Sequence, residues 1–267
     1  MDPSNTNWGV RLLALAGWGV VFFLLAPLVV VIAVSFTASN FLRFPPEGLS
    51  LKWYDAVISN PLYVEAFWLS IQIASLGTLI ALVIGVPACL ILVRKKFPGA
   101  QAISALFLSP LILPTVVLGV AILQYASALG FARTFWALLV GHIVLIIPYV
   151  MRATLVSLSE FDVASEEAAQ DLGATTPQTL WLVTLPQIKP GVIAGGLLGF
   201  IISWINVEVS IFNSTSTLIT LPVRIFNQVQ ATVDPSMAAV SAVTIYFAVL
   251  CVLLIDYFVG LERAGMK

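Results

Sequence analysis

Between Arg11 and Arg43 the chain carries no Asp, Glu, Lys or Arg. That gap limits the fold more than any other feature. A helix needs about 20 consecutive apolar residues to cross a bilayer's hydrocarbon core. Val10–Val34 is long enough to cross with some tilt. Comparable stretches follow at Ala66–Val93, Ala102–Ala128, Thr134–Leu155, Gly191–Phe212 and Met237–Val259. In this sequence of 267 residues, 60% are hydrophobic and 9% charged, against about a quarter charged in soluble domains. Lipid is the one solvent that accommodates such a surface. The expected fold is an all-α membrane protein with six transmembrane helices.

The first apolar stretch exceeds the h-region of a signal peptide, and no A-x-A-like site closes it, so it reads as a permanent helix. Pro27 is expected to kink it. Residues 1–65 hold this helix and a polar connection with Trp53 and Tyr54, aromatics suited to a membrane interface. Residues 66–257 form the main transmembrane domain, and 258–267 a tail. Pro98-Gly99 marks a turn. Ser109-Pro110 and Leu113-Pro114 predict a bend or break near the middle of the third span.

Six crossings put both termini on one side. Arg11, Arg94, Lys95, Lys96, Arg152, Lys189, Arg263 and Lys267 share that face, eight cations against the four of Arg43, Lys52, Arg133 and Arg224. The positive-inside rule then makes the termini cytoplasmic. A net charge of −1 without a basic patch gives no reason to expect a nucleic-acid partner. A single histidine and no acidic cluster within the spans leave no catalytic or metal site to propose. Cys89 and Cys251 lie in apolar runs and read as small core residues.

The loop at 160–190 is too long and too polar for a passive turn. Asp162 is a candidate N-cap, Glu166 and Glu167 favour the helix dipole, and Gly173 supplies a stop. Thr176-Pro177 restarts a helix, which is expected to halt before Pro186. Two short helices with a sharp corner result. An alanine face can seat in a partner's groove. Alternatively, Leu172, Leu180 and Trp181 can rest on lipid headgroups.

Glu167-Ala168-Ala169, three residues, Gly173, nine residues, Val183, one residue, then Leu185-Pro186 resembles the signature loop of inner-membrane permeases of binding-protein-dependent ABC importers. Valine at 183 replaces the commoner isoleucine. The resemblance covers roughly Phe67 to Asp256 and implies a type-I transmembrane domain in a bacterial inner membrane. It implies that Glu167, Ala168, Ala169, Asp171, Gly173, Leu185 and Pro186 form a coupling helix and its flank. The implied partners are an ABC ATPase dimer, a second permease subunit (identical or homologous) and a periplasmic or lipid-anchored substrate-binding protein. ATP and Mg would sit on the ATPase, because this chain has no G-x-x-x-x-G-K-[ST] loop and no cofactor of its own is expected. A stand-alone secondary transporter is the competing reading; it asks for paired, interrupted spans.

Lys52-Trp53-Tyr54, Ser109-Pro110 with Leu113-Pro114, Phe161-Asp162 and Thr220–Phe226 are most similar to spermidine/putrescine-type permeases. Iron, thiosulfate, phosphonate and opine permeases share parts of these stretches. Glu208 is the one acidic residue expected well inside a span, and such a carboxylate usually faces the bundle interior. Trp204, at i−4, shares its face, while Asn206 and Ser210 flank it. A carboxylate beside an aromatic suits an organic ammonium. The resemblance implies an aspartate near position 206, where this chain has Asn206. His142 reads as a helix-packing hydrogen-bond group.

Overall fold

The computed structural model describes residues 8–95 and 97–259, with side chains up to 253. From position 260 the expected tail lies outside the described residues, as do Lys96, Arg263, Lys267 and the side chain of Asp256. Twelve α-helices follow in order: α1 Trp8–Ser35, α2 Lys52–Ile58, α3 Pro61–Arg94, α4 Ala100–Leu108, α5 Thr115–Ala128 and α6 Phe135–Ser159. Then come α7 Ala164–Asp171, α8 Thr176–Thr179, α9 Leu185–Ile205, α10 Glu208–Asn213, α11 Leu221–Ala231 and α12 Ser236–Val259. Among the described residues, five helices are long and apolar enough to cross a membrane, or six if the bent pair α4–α5 is one span.

The described residues divide into two compact units. One holds residues up to Val64 with Asn227–Phe247; the other holds Glu65–Phe226 and residues from Ala248. In the first, α1 runs unbroken past Pro27 and exposes Leu12, Leu13, Phe22, Phe23 and Leu24, the apolar surface that lipid solvates. The connection after α1 is tied by Lys52, whose Nζ donates to the Ala38 carbonyl (2.6 Å) and Asn40 Oδ1 (2.9 Å).

The second unit is built on α6. Leu138, Ile146, Val150 and Met151 are fully buried, and Thr134 caps the helix by accepting from the Ala137 N–H. Small residues let α9 lie against α6. A Cβ on Gly191 would fall 2.6 Å from the Ala153 carbonyl, so the backbones touch there. The small residues of the GVIAGGLLG stretch permit this close approach.

The expected break in the third span is present and large. α4 passes through a 3-10 turn at Ser109–Leu111, and Pro114 leaves the helical region (ψ 131°). The span bends by 109° between the two arms. Gly99 turns the chain beforehand with φ +91°.

The fifth span departs from expectation at both ends. The second helix of the polar loop does not halt before Pro186. It widens into a π turn at Leu180–Thr184, where the Leu185 N–H reaches the Leu180 carbonyl, and continues as α9. The wide turn leaves room for the proline ring. Pro186 then follows directly on the π turn, where the hydrogen-bond register of the helix already shifts. At the other end the helix stops at Ile205 instead of running to Phe212. Asn206 adopts extended backbone (ψ 127°), and α10 starts afresh at Glu208.

Candidate functional site

The polar loop folds as a two-helix elbow. In α7 the residues spaced i, i+3, i+4 and i+7 (Ala164, Glu167, Ala168 and Asp171) are all exposed, while Ala169 is half-buried. The cap position of α7 is Val163, one residue later than expected; Asp162 Oδ1 accepts from the Ala164 N–H just ahead of the helix. Gly173, at φ +94°, makes the corner, with its N–H on the Gln170 carbonyl. The cap of α8 is one residue earlier than expected: the Thr175 N–H and hydroxyl both donate to Gln178 Oε1, leaving Thr176 inside the helix. Leu172, 90% exposed, stands at the tip. Leu185 is half-buried and Pro186 exposed at the start of α9.

Sequence reasoning missed the residue that fixes this elbow. Glu166 is the one buried residue of α7. Its carboxylate accepts from the guanidinium of Arg94, the last residue of α3, and from the hydroxyl of Thr184 in the π turn. Arg94 also donates to Thr184 Oγ1 at 3.3 Å and lies 5.8 Å from the Phe161 ring centroid. The i, i+3, i+4 spacing already distinguished Glu166 from the exposed stripe carrying Glu167. Nothing local pointed to Arg94, 72 residues away.

The second region surrounds the break between α9 and α10. Asn206 acts as the N-cap of α10: its Oδ1 accepts from the Val209 N–H (2.9 Å) and its Nδ2 donates to Glu208 Oε2 (3.2 Å). A side chain that satisfies the backbone this way competes with helix continuation. Glu208 is exposed, in the first turn of α10. Its carbonyl lies 2.6 Å from where a Cβ on Gly119 would be, so α5 seats the break closely.

The expected pairing of Trp204 with Glu208 on one helix face is incorrect. The two residues lie on different helices because Asn206 interrupts the i−4 relation. Trp204 is buried, edge-on to Phe67 (5.5 Å between centroids) and stacked on Phe200 (6.3 Å). Nor does Asn206 stand apart from Glu208, as a continuous helix would require; the two hydrogen-bond. An asparagine two residues ahead of a glutamate permits an N-cap, but within apolar flanks it equally permits a continuous helix.

His142 of α6 spans the same break. Its Nδ1 lies 2.7 Å from Ser203 Oγ on α9, and its Nε2 2.9 Å from Ser210 Oγ on α10. Each ring nitrogen holds one side. Interhelical hydrogen bonds in membranes contribute about 0.6 kcal/mol on average and at most about 1.7. His142→Leu, which roughly keeps the volume, is therefore expected to cost about 1–3 kcal/mol. Thermal unfolding in detergent measures it, and an unchanged midpoint would remove the bridge.

Residues 77–263 match the family described as binding-protein-dependent transport system inner membrane component. The chain is 32% identical over 232 residues to the spermidine/putrescine transport system permease protein PotC of Haemophilus influenzae, covering 87% of this chain and 90% of that protein. It is 31% identical over 226 residues to the putrescine transport system permease protein PotI of Escherichia coli, covering 82% and 80%. A chain of a bacterial ABC transporter that imports the acidic polysaccharide alginate superposes with a TM-score of 0.75 at 15% identity, over 97% of this chain and 99% of that one. That likeness is one of fold.

Proposed function

The chain belongs to the family of inner-membrane components of binding-protein-dependent transport systems, and on that premise we propose that it is the permease subunit of an ATP-driven importer for a polyamine or related organic cation. The elbow is the observation that carries this reading. Its outward face offers two alanines for close approach, two carboxylates and the projecting Leu172. Such a surface suits a cleft with basic residues on a separate ATPase dimer, which binds ATP and Mg. The elbow and both termini are then cytoplasmic, as the Lys and Arg distribution indicates. A second permease subunit completes the path, and a binding protein delivers the solute from outside.

The cation assignment draws on the polyamine permeases named above and on Glu208. An exposed carboxylate at a helix interruption offers charge where the chain leaves regular helix. Asn206 orients it. Trp204 takes no part, being packed in the core.

Uptake of labelled spermidine or putrescine into vesicles holding the complete importer tests both levels. ATP-dependent uptake supports the assignment, whereas uptake driven by an ion gradient without ATP overturns it. Charge-assisted hydrogen bonds contribute about 1.5–3 kcal/mol, so Glu208→Gln is expected to weaken apparent affinity by about tenfold or more. Unchanged affinity and rate would place Glu208 outside the path.

A further inference from the structure

An eight-residue helix such as α7 is too short to hold its shape alone. Its position has to come from attachment, and its buried face is polar. The attachment is the Glu166 carboxylate. Arg94 and Thr184, which meet it there, belong to different spans. Arg94 closes α3, and Thr184 lies in the π turn that leads into α9. Thr184 Oγ1 also reaches the Thr179 carbonyl (3.4 Å), tying the α8 side of the corner into the same knot.

We propose that the Arg94–Glu166–Thr184 node is the strut that passes displacement of the elbow to α3 and α9 together. This rests on the reading of the elbow as the coupling element. The adjacent glutamates divide the work. Glu167 faces the partner, and Glu166 faces the chain's own spans. Without the node a push on the outer face of α7 would rotate a loosely hinged helix and leave the rods in place. With it the same push moves two rods at once. The three are positioning residues, which touch neither solute nor nucleotide.

The burial of the pair is unequal, which makes the proposal specific. The Glu166 side chain is 11% exposed and that of Arg94 34%. Removing Arg94 strands a nearly buried carboxylate, whereas removing Glu166 leaves a guanidinium that can swing into water. Arg94→Gln is therefore the more damaging change. The double variant Arg94→Gln/Glu166→Gln is milder than Arg94→Gln alone, because it leaves no stranded charge.

The test uses the complete importer in lipid vesicles and reads solute transported per ATP hydrolysed, with ATPase copurification measured alongside. Coupling between sites typically spans about 5- to 150-fold. Arg94→Gln is expected to lower the ratio about tenfold and Glu166→Gln less. The charge-swapped pair Arg94→Glu/Glu166→Arg is expected to restore most of the loss. Wild-type ratios in both single variants overturn the strut. So does loss of assembly in the single variants that neither the double nor the swapped pair repairs, since that marks the node as merely structural. Glu167→Lys, on the outer face, separates the two failures. If it uncouples while the node variants do not, only the strut is wrong. If it too leaves the ratio unchanged, the elbow is not the coupling element and the strut falls with it.

Discussion

Gly173→Pro is expected to abolish ATP-driven uptake while the protein still inserts and the spans still pack. Gly173 sits at φ +94°, and its N–H bonds to the Gln170 carbonyl at 2.8 Å. Proline holds φ near −65° and has no N–H, so it fails on both counts. The damage is purely a matter of backbone, because a Cβ at this position would meet nothing within 4 Å. That openness makes a graded series informative. Asn tolerates the left-handed region and should keep most uptake, while Ala carries a conformational cost of about 1–2 kcal/mol. Uptake should follow Gly, Asn, Ala, Pro in descending order. Full uptake by the proline variant would show that the angle of the elbow is irrelevant to transport.

The second large effect is on stability. Gly191→Val is expected to destabilise the α6–α9 pair by about 3 kcal/mol, the upper end for overpacking. Its Cβ would sit 2.3 Å from Ser157 Oγ and 2.6 Å from the Ala153 carbonyl. The hydroxyl can turn away, but the carbonyl is backbone and moves only with α6. Gly17→Val is the matched control, since a Cβ there meets nothing within 4 Å. Thermal unfolding in detergent should show a large drop for the first variant and little change for the second. Equal midpoints would mean that the helices do not approach at Gly191. The expected cost is at least as large as that of His142→Leu, because steric overlap with backbone has no hydrogen-bonded alternative to fall back on.

The sequence by itself determined the parts set by solvent and by nearest neighbours. Lipid leaves an uncharged run such as Val10–Val34 little choice but to be a helix, because its backbone groups find no water. Pro114 and Gly173 act through their own dihedral angles, so the bend in the third span and the corner of the elbow were legible locally. What happens at Pro186 and Asn206 was not. A proline can stop a helix or ride on a wide turn, and an asparagine within an apolar run can be carried along or can cap. Neighbouring helices decided both, with α5 and α6 seating α10 and the Glu166 knot holding the π turn. The same holds for which of two consecutive glutamates turns inward. Local spacing separates their faces, but only a cation at the far end of α3 makes one of those faces the inside.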